Sequence, residues 1–300
     1  MQRDQQKPKK SSALLTWASR ILMVFLSAVI LFCALEIYQY FADRRQSIHE
    51  FDDLLNQVTQ GGNAPSGESD GMNAEDIITD GRNDKEDEED KETEAESFPV
   101  VYRDIVPLYE QNEDFFGWIY IAGTKVNYPV MHTPANPQKY LHLSFNGEES
   151  APGVPFMDYR CRLDSDNIIL YGHHMKNGTM FANIVYYNSK EFWAGHKTIE
   201  FETRDECGIY TVFAAMLVKP NDTWYSFVNA ASEADFNAKI SAILRRSYID
   251  TDIVPQYGQQ IITMSTCYGD DRFIVLAVRT DTKEFRTQAE ADAAAAAGQS

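Results

Sequence analysis

Between residues 98 and 281 the chain is cut into seven short runs rich in Val, Ile, Tyr, Phe and Thr, and this segmentation limits the fold more than any other feature. The runs are 117–121, 126–131, 167–171, 198–203, 209–218, 260–266 and 272–279, bounded by Gly, Asn, Asp and Pro. So many short strands must close on themselves or pack as two sheets, so the expected fold class is an all-β barrel or sandwich with helical insertions. One helix is signalled by Ser232 with Asp235 in a capping-box pattern, followed by an apolar face of Phe236, Ile240, Ile243 and Leu244. A second is expected over 179–187, burying Phe181, Ile184 and Val185. The chain shows no internal repeat.

The N-terminal part follows different rules. Residues 21–35 read ILMVFLSAVILFCAL, without a charge. A helix needs about 20 residues to cross a bilayer core, and 17–38 meets this with Arg20 and Glu36 near the interfaces. Trp17, Tyr38 and Tyr40 suit interfacial belts. Arg3, Lys7, Lys9, Lys10 and Arg20 precede the run, which predicts a cytoplasmic tail over 1–16 and an extracellular domain; Arg44 and Arg45 weaken that asymmetry without reversing it. No small-x-small site follows the run, as a cleaved signal would require, and bulky Phe32 before Cys33 argues against a lipoprotein leader. Residues 39–60 read as a juxtamembrane helix, with Phe51, Leu54, Leu55 and Val58 at helical spacing.

The net charge of −18 is concentrated in one place. Residues 66–97 hold fourteen Asp and Glu against three Lys and Arg, or −11. The stretch 61–97 therefore reads as a disordered, self-repelling tether that lets the domain reach across a surface layer. The domain proper spans 98–281, and 282–300 is a frayed tail. No basic face is evident, which excludes a nucleic-acid partner. The four cysteines include no CxxC pair, which argues against zinc. Cys33 reads as inert packing in the apolar run, and Cys161 and Cys207 could pair in an extracellular domain although neither position requires it.

Two segments carry chemistry. In NIILYGHHMKNGTMF (167–181) a buried strand ends at Tyr171, Gly172 permits a tight turn, and His173 and His174 follow. In IITMSTCYGDDRFIVLAV (261–278) an apolar strand runs into Ser265, Thr266 and Cys267, and a polar turn returns Arg272 at the start of the next strand. A strand-end Cys with a His elsewhere fits nucleophilic catalysis, and a permanently cationic Arg can stabilise a thiolate or a carbonyl oxyanion. Each feature alone has a structural explanation. A Cys is often a small buried hydrophobe, an Arg at a strand start is usually a surface cation, and adjacent histidines on an extended segment point to opposite sides.

The two segments together resemble the histidine and cysteine-arginine signatures of the sortase family of surface transpeptidases. GWIYIAGTKVNYPVM (117–131), YLHLSF (140–145) and GVPFMDYR (153–160) further resemble its class B members, as does a helix over 233–247 before the cysteine strand. The resemblance runs in continuous order over about 98–280. It implies an eight-stranded β-barrel with additional α-helices, with Cys267 as nucleophile, His173 as acid and base, and Arg272 as electrostatic stabiliser. His174, Ser265, Thr266, His142 and Tyr171 take substrate-binding or supporting positions, His142 standing where class B members can carry Asn. It also implies a chemistry that needs no metal or cofactor. The partners would be secreted proteins with an Asn-Pro-x-Thr-like sorting signal, an amine of a peptidoglycan precursor or of a pilin, and membrane lipid around the N-terminal helix. The alternatives are a pilin-polymerising sortase, an extracellular cysteine peptidase resolved by water, and a surface adhesin domain in which the Cys-His-Arg set is incidental.

Overall fold

A computed structural model of the chain describes residues 11–59 and 103–284. Its strands are β1 Phe115–Tyr120, β2 Asn127–Met131, β3 Phe156–Met157, β4 Asn167–Tyr171, β5 Thr198–Glu202, β6 Glu206–Val218, β7 Ile261–Tyr268 and β8 Asp271–Glu284. The helices are α1 Ser11–Thr59, α2 Val106–Gln111, α3 Lys190–Gly195 and α4 Glu233–Leu244. The eight strands close into a barrel in the order β1-β2-β3-β4-β7-β8-β6-β5, with β5 returning to β1 through Trp118 opposite Glu202. Two pairings are parallel, β2 with β3 and β4 with β7, and the rest are antiparallel.

Strand alternation divides the apolar residues between two cores. On β8, Phe273, Val275 and Ala277 join the larger cluster, while Ile274, Leu276 and Val278 face a second cluster with Phe236, Ile240 and Ile243 of α4. The barrel is thus packed on both sides along β6, β7 and β8. Ser232 caps α4 by accepting a hydrogen bond from the Asp235 amide at 3.2 Å, and Asp235 accepts one from the Ala231 amide at 3.0 Å.

All seven expected strands form, with shifted ends. β6 begins at Glu206 and β8 runs to Glu284, past the expected end of the domain. The eighth, β3, has only two residues and follows Pro155, too short for alternation to show in sequence. The helix expected over 179–187 is a 3₁₀ helix, Phe181–Asn188. It follows Met180, which sits at a φ of 56°, and buries Phe181, Ile184 and Tyr187 while Val185 is half-buried. α4 stops at Leu244, short of the expected 247. Cys161 and Cys207 form no disulfide, and Cys33 is exposed on α1 where inert packing was expected.

The N-terminal helix includes the expected juxtamembrane helix. α1 runs without a break through the apolar stretch to Thr59, and its end docks on the barrel. Phe51, Leu54 and Val58 belong to the larger core cluster, Phe51 meets the Tyr128 ring edge-on at 5.2 Å, and the Val58 carbonyl accepts a hydrogen bond from the Asp104 amide at 2.9 Å. The acidic segment 61–97 lies outside the described residues. Among the described residues, no helix is long and apolar enough to cross a membrane. The uncharged stretch 21–35 spans about 22 Å at 1.5 Å per residue, against a core of about 30 Å.

If α1 is fastened to the core as described, Leu54→Ala should destabilise the folded protein by about 2–5 kcal/mol in urea titrations, as core truncations do. An unchanged midpoint would detach the helix from the barrel.

Candidate active site

The site begins with the parallel pairing of β4 and β7. The register runs from Asn167 opposite Ile261 to Tyr171 opposite Ser265, so two residues further on each strand bring His173 level with Cys267. Lateral contact continues past the end of β4. The Gly172 amide donates to the Ser265 carbonyl at 3.1 Å, and the Thr266 hydroxyl donates to the Gly172 carbonyl at 2.8 Å. On the other side of β7, Cys267 is opposite Arg272 of β8. Three separate lengths of chain thus bring the cysteine, imidazole and guanidinium to one cleft of about 520 Å³, which all three line.

Gly172 is essential to this approach, though not as a tight turn. It is not among the glycines with positive φ. A Cβ at this position would lie 2.6 Å from Cγ of Phe181, whose amide donates to the His173 carbonyl at 3.0 Å. The absence of a side chain therefore lets the Phe181 ring pack directly under the histidine segment.

The two histidines separate as their adjacency suggested. His173 faces the cleft, and its Nε2–H donates to the Leu141 carbonyl at 3.0 Å. With that proton placed, Nδ1 is the basic nitrogen of the neutral ring. Burial lowers the pKa of His173 below the ordinary imidazole value; the Leu141 carbonyl opposes this and a charge on His142 would add to it. His142 stacks on His173 with ring centroids 5.5 Å apart and does not line the cleft. His174 is exposed, its Nδ1–H donates to the Cys267 carbonyl at 2.9 Å, and its ring stacks on Tyr268 at 6.0 Å. It holds the backbone of the cysteine and stays outside the cleft lining.

Cys267 is exposed, unlike the buried Cys161, whose thiol is pushed up to about 11 by burial. Arg272 donates to the Asp271 carbonyl at 3.0 Å, while the Asp271 carboxylate is taken by Lys219 at 2.6 Å. Among the described residues no carboxylate forms an ion pair with Arg272, which leaves its charge available to a developing anion. Ser265, Thr266 and Tyr171 also line the cleft. Ser265 Oγ is 2.8 Å from the Tyr225 hydroxyl, whose pKa burial pushes up to about 12. Sequence reasoning missed Tyr225, Asp158 and Arg160. Asp158 and Arg160 lie in the GVPFMDYR segment, whose resemblance was visible, whereas Tyr225 lies in a connection without a recognisable pattern.

An exposed strand-end thiol beside a neutral imidazole and an unpaired guanidinium is the arrangement of a cysteine-nucleophile acyl-transfer enzyme. Comparison with known proteins narrows this class. A family model described as a sortase domain matches residues 119–280. Sortase B of Staphylococcus aureus (strain NCTC 8325 / PS 47) is 35% identical over 162 residues, covering 53% of this chain and 66% of that protein. Sortase B of Listeria monocytogenes serovar 1/2a is 31% identical over 172 residues, covering 56% and 68%. The chain thus spans about two-thirds of the length of these curated relatives. Among solved structures, a Staphylococcus aureus sortase B–substrate complex superposes with a TM-score of 0.55 at 32% identity, covering 60% of this chain and 84% of that one. Sortase B from Bacillus anthracis in complex with AAEK1 gives 0.55 at 30% identity, covering 60% and 85%. The chain belongs to the sortase family of cysteine transpeptidases.

The two histidines predict different losses. His173→Ala should abolish peptide turnover, and His174→Ala should leave a measurable fraction, read as kcat/KM on a peptide substrate. Because burial favours neutral His173, the acid limb of kcat/KM should lie below the ordinary imidazole value of about 6.5. Equal and complete loss in both variants would remove the distinction between them.

Proposed function

We propose that this protein is a cell-surface transpeptidase that cleaves an Asn-Pro-x-Thr-like sorting signal and joins the protein bearing it to an amine of a peptidoglycan precursor. The observation that carries the reading is the convergence of Cys267, His173 and Arg272 on one cleft. Its support outside the chain is the kinship with sortase B proteins, one of them solved as a substrate complex.

The Cys267 thiol gives its proton to Nδ1 of His173, and the thiolate attacks the carbonyl carbon of the signal's Thr. Arg272 stabilises the oxyanion that forms. The C–N bond then breaks, the leaving amine takes the proton from His173, and the Thr acyl group remains on sulfur as a thioester. An incoming amine attacks the thioester carbon, loses a proton to His173, and expels Cys267. Water or a pilin lysine in place of that amine gives the two neighbouring activities, and product analysis distinguishes them.

The N-terminal helix serves as the membrane anchor in this reading, with its basic flank inside the cell. Its support is the uncharged stretch 21–35 and the basic residues before it. Protease added to intact cells should release the barrel and leave a membrane-bound stub. Spontaneous appearance of an intact soluble protein would instead indicate cleavage within or after the apolar stretch.

Arg272→Lys keeps the charge and loses the planar fork, so it should lower turnover by about 10²–10³-fold. Cys267→Ala should be inactive, and both variants should melt with the wild type because both side chains lie at the cleft surface. An active Cys267→Ala protein would contradict the assignment.

A further inference from the structure

Asp158 is the single carboxylate among the residues lining the cleft, and a carboxylate beside a Cys-His pair invites a reading as the third member of a proton relay. Its hydrogen bonds exclude that role. Oδ1 accepts from the Arg160 amide at 3.0 Å and from Arg160 Nε at 2.8 Å. Oδ2 accepts from a terminal nitrogen of Arg160 at 2.8 Å and from the Tyr171 hydroxyl at 2.9 Å. Both oxygens are saturated. Burial alone would raise the carboxyl, but the bonds from Arg160 and Tyr171 outweigh it and hold the group below the ordinary range. Histidine 173 meanwhile is oriented by the Leu141 carbonyl.

Arg160 extends the connection beyond the carboxylate. The same terminal nitrogen donates to the Tyr225 carbonyl at 2.7 Å, in the long segment between β6 and β7. The Tyr225 hydroxyl meets Ser265 Oγ at 2.8 Å, and Ser265 is the register partner of Tyr171. Hydrogen bonds and strand pairing therefore form a closed ring, from Tyr171 through Asp158, Arg160 and Tyr225 to Ser265 and back. The ring ties three chain segments together along one wall of the cleft, two residues before Cys267.

The geometry points to Arg160 and Asp158 as positioning residues that fix the width of this wall for an extended peptide, without taking part in proton transfer. Arg160 suits the task because one planar fork grips the carboxylate twice and still reaches a backbone carbonyl. Removing the fork frees Tyr225 from the β3–β4 side, while Asn167 still holds the Phe227 and Val228 carbonyls; the peptide's seat loosens, and the thiol, imidazole and Arg272 keep their own supports.

This inference rests on the proposed peptide chemistry, and two probes separate the two. The variants are Arg160→Met, which keeps the stem without the fork, and Asp158→Asn, which keeps the shape without the charge. Quenched-fluorophore peptides of the form Asn-Pro-x-Thr report peptide turnover, and iodoacetamide, too small to sense the wall, reports Cys267 reactivity. Both variants should show a kcat/KM for peptide lowered at least tenfold, mostly through KM, with alkylation within about twofold of wild type and an unmoved acid limb. Tyr171→Phe, which removes one bond of the ring, should show a smaller loss of the same kind. Unchanged peptide kinetics in folded Arg160→Met overturns the inference and leaves the proposed function standing. Parallel loss of alkylation and turnover, or a displaced acid limb in Asp158→Asn, overturns it by placing the pair in the proton chemistry. A wild-type protein that alkylates but turns over no such peptide overturns both.

Discussion

The parallel pairing of β4 with β7 is the interaction on which the site depends. Residues about ninety positions apart in sequence become lateral neighbours, and the alignment of Tyr171 with Ser265 carries His173 to Cys267. A parallel pair needs a long crossover, and this chain uses the interval for β5, β6 and α4. Those elements complete the barrel and pack its outer side, so the same connection that makes the pairing possible also stabilises it. The β7–β8 pairing then adds Arg272 opposite Cys267 through a short turn. A register slip of one residue on β7 would move the thiol to the opposite face and leave the imidazole without its partner.

Electrostatics follow from where each group's hydrogen bonds go. The Leu141 carbonyl takes one proton of His173, and burial keeps the ring neutral, ready to accept from a thiol. Lys219 occupies the Asp271 carboxylate, so the nearest acid in sequence to Arg272 does not consume its charge. The Asp158 carboxylate is held by Arg160 and Tyr171. The cleft thus presents a thiol, a neutral base and a cation, with its one acid already engaged.

Much of this was legible in sequence because strands and catalytic segments coincide. Val- and Ile-rich runs ended at Tyr171 and Cys267, and the chemistry-bearing residues followed directly. β3 was not legible, since two residues after a proline carry no period. The 3₁₀ form of the 181–188 helix depends on tertiary packing around Met180 and Phe181, whose amides bond to Tyr128 and His173. The role of Gly172 was read as a turn, whereas it depends on a ring nine residues away. The docking of Phe51, Leu54 and Val58 on the barrel was not legible, because their helical spacing shows an apolar face and not what covers it. Tyr225 was invisible because its place in the wall is fixed by partners far away in sequence, its carbonyl by Arg160 and its hydroxyl by Ser265.

The central claim is that Cys267 carries the acyl group between donor and acceptor. Intact-protein mass spectrometry of the enzyme quenched in acid during turnover of an Asn-Pro-x-Thr peptide tests it most directly. The account predicts a mass increase equal to the peptide's N-terminal fragment through Thr, localised to Cys267, discharged by hydroxylamine and absent from Cys267→Ala. Turnover of the peptide with no adduct on Cys267, or with the same adduct in Cys267→Ala, would contradict it.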